Sequence, residues 1–506
     1  MTHSFGTRHT GHQEPDGGLA LARNKPGLDP VGTAITELPL PQQLVYPLLN
    51  YSKRAVKPQV SVGASVALGD HIADGILATA SGVVTAIEQR QIIHPSYREA
   101  LSVILDVDVI ATENRQSLPA IDVLNIDRIE RACISGLGGA GFSTASKLER
   151  AANHTYGIHT LLVNAVECEP LISCDEALIL SSADDVVNAI VSMAELCACQ
   201  RCILAIEEDK VEAIAALFAA IETVRANPVH HRQALKIELV RLSAIYPSGA
   251  EKVLVQRVIG KPVDAGSRAS DTGVLCLNVA TIVAAWHAQA GYPMISRIVT
   301  IGGGLAAKPA NLRVRIGTSV ADVLRLTGNI PDAGRARVRA GGPLSGFDLQ
   351  DWSVPITATT NCIGIEAAHH KPEALACIRC SQCSDICPVN LVPQQLFWHA
   401  SGNDLDGAVR FGLERCIECG CCDIVCPSHI ELTSTFRHSR SAWREQEHQK
   451  HEAELARERY EQREKRLAIS QLEAQRLREE KKSQLGASKD PIAAALARSR
   501  ARKNKS

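Results

Sequence analysis

Two cysteine runs hold the clearest chemistry in this chain. Cys377, Cys380, Cys383 and Cys387 are followed by Pro388, and Cys416, Cys419, Cys422 and Cys426 by Pro427. Both runs read C-x2-C-x2-C-x3-C-P, the bacterial spacing for a [4Fe–4S] cubane. Two-residue gaps let three thiolates wrap one corner of the cubane, and the fourth cysteine of each run reaches across to the other cluster. One ligand set is therefore Cys377, Cys380, Cys383 and Cys426; the other is Cys416, Cys419, Cys422 and Cys387. Structural zinc would need two separated pairs closing one tetrahedron, and disulfides fit poorly with a reducing cytosol. Cys421 falls outside the pattern and reads as a packed thiol. Cys133, Cys197, Cys199, Cys202 and Cys276 sit in apolar surroundings as small buried hydrophobes.

A two-cluster module of this kind needs only about 60 residues, whereas the chain has 506, too many for a single core. Its 45% hydrophobic content is that of soluble globular material, and a formal net charge of -1 gives no hint of nucleic acid. The first 18 residues lack the apolar core of a signal peptide. No run of roughly 18 apolar residues suggests a spanning helix. The expectation is an intracellular protein that is not integral to a membrane.

The elements that must position further chemistry lie upstream of the cysteines. Residues 55–90 hold short apolar runs broken by glycine, which predicts a small β structure. Residues 121–300 alternate: Thr160–Val166 and Lys236–Leu242 read as strands and Val211–Val224 as a helix, so this region is α/β. Residues 298–365 form another short-strand, glycine-rich stretch. Gly136-Leu137-Gly138-Gly139-Ala140-Gly141-Phe142 satisfies G-x-G-x-x-G, but Asp127–Cys133 before it looks helical, whereas a dinucleotide fingerprint needs a strand there. The loop can still bind an anion through its amides, with Ser143 or Thr144 capping the helix through Lys147. It can equally be a tight turn. Asn164–Pro170 ends a strand, where open α/β sheets place ligands. Tyr246–Lys252 follows another strand, and Asn278 is a fourth element of the same kind.

Loop, Glu-Cys-Glu-Pro strand end, Tyr-Pro-Ser-Gly turn and twin cysteine runs occur in that order. The combination resembles the RnfC family over roughly residues 12–435. That family belongs to the Rnf complex, the membrane-bound NADH:ferredoxin oxidoreductase that couples electron transfer to ion translocation. The resemblance implies a multidomain α/β and α+β chain: a barrel-sandwich domain over 1–120, an FMN- and NADH-binding α/β module over 121–297, a soluble-ligand-binding β-grasp domain over 298–365, a ferredoxin-like two-cluster domain over 366–436, and a charged helical tail over 437–506. It implies that Gly136, Gly138, Asn164, Glu167, Glu169, Tyr246, Gly249, Glu251 and Asn278 surround FMN, and that Gly139, Phe142 and Lys147 surround NADH. Three residues depart from the family pattern: Ser143 replaces a proline, Ala250 an acidic residue or glycine, and Cys168 a serine.

NADH gives two electrons as hydride while each cluster takes one, so a flavin between them is chemically necessary. No cysteine or histidine lies in an attachment context, so FMN is expected to bind non-covalently. The implied function is an electron-input oxidoreductase component of a translocase, peripheral at the cytoplasmic face of the bacterial inner membrane. Its partners would be integral membrane and ferredoxin-like subunits, with ferredoxin reached indirectly. A soluble flavin/iron–sulfur cobalamin reductase is the alternative, and a wiring component with a vestigial flavin site a third reading. The tail is rich in Glu, Arg, Lys and Gln, with Glu461 and Lys465 a favourable i, i+4 pair. Its leucines are too sparse for a coiled-coil seam. Arg498, Arg500, Arg502, Lys503 and Lys505 form a basic end suited to anionic lipid, although a solvated helix without a role fits the composition too.

Overall fold

The strand Thr160–Ala165 is apolar on both faces, a pattern that needs cover on both sides. In the computed structural model, residues 17–20, 34–50, 54–95, 97–112, 118–139, 141–153, 157–226, 235–264, 266–332, 334–368, 372–486 and 491–503 are described. There Thr160–Ala165 is an inner strand of a four-stranded parallel sheet. The order is Lys236–Leu242, Arg201–Glu207, Thr160–Ala165, Val274–Asn278. Helices Cys174–Leu196, Val211–Ala226 and Val279–Gln289 bury one face in the largest core of the chain. Glu251–Ile259 covers the other, joined there by Tyr246 and by Cys421 from the second cysteine run. Cys421 is fully buried in that apolar cluster.

Helix Cys174–Leu196 is long and apolar enough to cross a membrane by length and composition alone. Twelve of its residues are buried, ten of them in this core, and Ser182 breaks its helical geometry at φ −154°. It is the central packing helix of the α/β module.

The N-terminal β structure is an antiparallel sheet in the order Gln43–Pro47, Glu99–Val107, Gly82–Gln91, Ser65–Val66, with a small hairpin of His71–Ala73 and Ile76–Leu77. Its core gathers Leu44, Tyr46, Ile72, Val84, Val103 and Leu105. A third sheet has six strands, ordered Phe347–Asp348, Ala336–Ala340, Cys362–Ala367, Ser296–Gly302, Ala310–Arg315, Ile35–Glu37. Helix Val320–Thr327, capped by the Ser319 hydroxyl and ended by left-handed Gly328, packs on it. The edge strand Ile35–Glu37 comes from the N-terminal stretch and runs parallel to Ala310–Arg315. Leu19–Ala20 likewise leaves the N-terminal stretch to pair with Ile245–Tyr246. The first hundred residues therefore supply strands to four sheets, counting the small hairpin and the pair with Ile245–Tyr246.

The cysteine runs share one backbone pattern repeated 39 positions apart. Arg379, Ser381 and Asn390 have positive φ, as do Glu418, Gly420 and His429. The turns Gln382–Asp385 and Cys421–Ile424 occupy matching places. The tail is a separate unit, Arg437–Ser506. It lies on helix Leu432–Gly486, which starts five residues ahead of it, and on helix Pro491–Lys503. Glu461 pairs with Arg457 at 3.1 Å rather than with Lys465, so the expected i, i+4 partner is replaced by the arginine four residues before it. Lys505 of the basic end lies outside the described residues.

Candidate functional site

Parallel strands point all their carboxyl ends the same way, and that edge is where an open sheet binds ligands. Asn164 and Asn278 end neighbouring strands and face each other in register. Asn278 caps the helix Val279–Gln289, its Oδ1 accepting the Ala280 N–H, while its amide donates to Asp175 at 2.6 Å. Asn164 donates to the Gly249 carbonyl at 2.8 Å and accepts the Val166 N–H. Gly249 has no room for a side chain, because a Cβ would run into the Val166 carbonyl.

The glycine loop lies across this edge. As expected, a helix precedes it, Ile126–Arg131, and not a strand. Gly136 closes the loop by donating to the Phe142 carbonyl at 2.8 Å, and the Leu137 N–H is held by Thr281 Oγ1 at 2.9 Å. Gly138 sits directly over Asn278: a Cβ would lie 3.3 Å from the Asn278 Cβ. Gly139 has φ +99° and open space where a side chain would be. Phe142 is 51% exposed, with the Arg268 guanidinium 6.0 Å from its ring centre. Ser143 caps helix Thr144–Ala152 by accepting the Ser146 N–H, which gives the departure from proline a structural use. Lys147 is not free: its ammonium bonds the Glu251 carboxylate at 2.8 Å and the Cys276 carbonyl at 2.6 Å.

The other sequence-expected residues are tied into the scaffold. Glu167 is buried and accepts from the Asp175 and Glu176 amides and the Cys174 thiol, filling the N-terminus of helix Cys174–Leu196. Glu169 accepts the Leu344 and Ser345 N–H groups at 2.7 and 3.0 Å, fastening the strand end to the third sheet. Burial pushes its pKa up. Tyr246 donates from its hydroxyl to the Cys419 carbonyl at 2.6 Å. Burial, with Glu169 near it, drives that phenol well up, so it stays a donor. Cys168 uses its sulfur to accept the Gly249 N–H at 3.4 Å. Sequence reasoning missed Asp175, half-buried between Glu167 and Asn278; desolvation, then the Glu167 charge, push its carboxyl up to about 7. Its position in the first turn of an apolar helix just past Glu-Cys-Glu-Pro was the available signal.

In the cysteine region, Cys377, Cys380, Cys383 and Cys426 line one small cavity together, while Cys387 is absent from it. Cys387 is buried, and Cys419 is among the groups that raise its pKa, after desolvation. The Cys422 thiol is likewise pushed up by burial. Cys380 is exposed and Cys422 is buried. Four sulfurs gathered in one cavity by the two-residue gaps, with main-chain amides donating to Cys387 and Cys416, suit an iron–sulfur cube. The asparagine pair, the side-chain-free Gly138 and the capped helix starts suit a planar, amide-recognising group such as a flavin.

Comparison with known proteins covers the chain in three parts. Residues 129–287 match the family model of the Nuo51 FMN-binding domain, residues 15–109 that of the RnfC barrel sandwich hybrid domain, and residues 376–430 that of the 4Fe-4S dicluster domain. The chain is 39% identical over 470 residues to the C component of the ion-translocating oxidoreductase complex of Pseudomonas aeruginosa, covering 89% of this chain and 58% of that protein. It is 37% identical over 497 residues to the protein of the same name from Cronobacter sakazakii, covering 93% and 61%. The chain thus spans about three fifths of the length of the curated relatives it matches. Among solved structures it is similar to an NAD+-reducing [NiFe]-hydrogenase in the H2-reduced state, at a TM-score of 0.45 and 16% identity, over 62% of this chain and 59% of that one.

Proposed function

We propose that this chain, similar to the C component of ion-translocating oxidoreductase complexes, belongs to the RnfC family and is the peripheral electron-input subunit of such a complex, passing electrons between NADH and ferredoxin. The single observation that carries this reading is the junction at Tyr246. Its hydroxyl holds the Cys419 carbonyl while its neighbours Asn164 and Gly249 form the strand-end site. Cys421 is buried beneath the same sheet. A flavin site and a cluster site that share one packed wall suit electron transfer.

When bound, FMN takes the electron pair of a hydride from NADH and releases electrons singly to iron–sulfur clusters. Asn164 and Asn278 would orient it, Gly136, Gly138 and Gly249 would admit it to the backbone, and Glu167, Glu169, Tyr246 and Glu251 would fix the loops around it. Gly139, Phe142 and Lys147 would meet the nicotinamide nucleotide. Cys416, Cys419, Cys422 and Cys387 would hold the cluster nearer the flavin, and Cys377, Cys380, Cys383 and Cys426 the outer one, whose exposed Cys380 suits transfer to a partner. The third sheet with its helix Val320–Thr327 reads as a β-grasp domain. Integral membrane and ferredoxin-like subunits are the proposed partners, on the cytoplasmic face of the inner membrane, with the basic end of the tail against anionic lipid or another subunit.

The relatives do not favour the cobalamin-reductase alternative. Native protein should sediment with membranes and retain FMN after anaerobic purification. A flavin-bearing protein wholly in the soluble fraction would return that alternative, and a membrane-bound one without flavin would reduce the chain to a wiring component.

A further inference from the structure

A cavity of about 480 Å³ lies behind the strand-end site, which it meets at Leu137 and Asp175, between helix Val279–Gln289, the start of helix Cys174–Leu196 and the strands Ser296–Gly302, Ala310–Arg315 and Ile35–Glu37. None of the twelve residues given to flavin or nucleotide lines it. Leu178, Val283, Met294 and Ile298 give it apolar walls, and Arg313 and Arg315 share one face of the sheet beside it, with Arg297, paired to Val314, on the other. A volume of this order accommodates a small organic molecule.

The charges decide which kind. Arg313 is paired with Glu37 at 2.7 Å, and His287 with Asp185 at 3.1 Å. Arg297 is only 4% exposed, and its guanidinium donates to two main-chain carbonyls, those of Ile298 and Ala358. Among the described residues the Arg315 side chain donates no hydrogen bond, and neither Arg297 nor Arg315 has a carboxylate in ion-pair contact. Asp175, the remaining acid in the lining, is bound to Asn278. The Arg315 guanidinium thus meets an apolar chamber half-buried, with no carboxylate in ion-pair contact, and a partly shielded cation without a close counter-charge is costly. Burial lowers the Arg315 pKa, as expected for a cation lacking a full partner.

We propose that this cavity binds an amphipathic organic anion, its acid group on Arg315 beside the Arg313–Glu37 pair and its apolar body against Leu178, Val283 and Ile298. The site is separate from the flavin site and goes beyond the electron-transfer reading. The probe is 2-naphthalenesulfonate, titrated calorimetrically into the intact cluster-loaded chain. It should bind, and Arg315→Met should weaken it about tenfold, the loss of one charge-assisted hydrogen bond. The uncharged 2-naphthalenemethanol should bind more weakly and be indifferent to that substitution. Val283→Trp should fill the chamber and abolish binding, with unchanged cluster absorbance reporting an intact fold. Displacement of the sulfonate by decanoate would support the site with an acyl anion as its source; resistance to decanoate would support it with an aromatic acid. No binding at millimolar sulfonate, unaltered affinity in Arg315→Met, or displacement by FMN would each overturn the proposal, the last by merging this site with the flavin's.

Discussion

Lys147 shares its ammonium between the Glu251 carboxylate and the Cys276 carbonyl, so a nucleotide phosphate must compete with both. Lys147→Ala should still weaken NADH binding, by about tenfold for one charge-assisted contact, with flavin content nearly intact. Equal loss of both ligands would show that the lysine serves the flavin pocket through Glu251. Asp175 offers a test of sign. Its carboxyl titrates at about 7 when folded and near 4 when unfolded. A raised acid stabilises the fold below the unfolded value and loses that contribution as pH rises through the folded one. Asp175→Asn should therefore raise the unfolding midpoint at pH 8.5 and bring little change at pH 5.5; a gain confined to the acid side contradicts the assignment. The spacing of the cysteines proposes their grouping without any structure, and Cys377, Cys380, Cys383 and Cys426 do line one cavity. The carboxylates were legible as a cluster but not in their duties. Glu167 caps a helix and Glu169 clamps a sheet, which depends on where distant chain segments arrive.

At the level of elements, the strand-end site was readable because Thr160–Ala165 is a short apolar run, Lys236–Leu242 alternates polar and apolar residues, and the helix before the glycine loop shows its own period. Strands such as Ile35–Glu37 and Leu19–Ala20 were not. Two or three residues carry no periodic signal, and only their long-range partners make them strands. Their pairing crosses the borders that composition suggests. Tyr246 joins the parallel sheet to the second cysteine loop, and Tyr246→Phe removes the hydroxyl that bonds the Cys419 carbonyl and Glu169 without opening a cavity. Iron and flavin should remain, while cluster reduction by NADH slows; unchanged kinetics would show that packing around Cys421 suffices. The cavity shared by Cys377, Cys380, Cys383 and Cys426, without Cys387, favours exchanged fourth ligands. Cys387→Ala should disturb the paramagnetic signal of the cluster held by Cys416, Cys419 and Cys422. Loss of the other cluster's signal would make the assignment uncrossed.

Over the whole molecule, every assigned redox residue lies upstream of Arg437, and the tail is an independent unit. A chain lacking residues 437–506 should keep NADH-dependent dye reduction and bind membranes less firmly. Equal retention on membranes would leave the tail a solvated helix. The central claim is that one chain joins a two-electron flavin site to two single-electron clusters. Its most direct test is anaerobic: measure iron and FMN on the purified protein, then add NADH and follow the visible absorbance of the clusters. The expected result is about eight irons, one non-covalent FMN, and bleaching of the clusters by NADH to the extent that dithionite produces. Clusters that dithionite bleaches and NADH leaves oxidised, in protein carrying its full flavin, would contradict it.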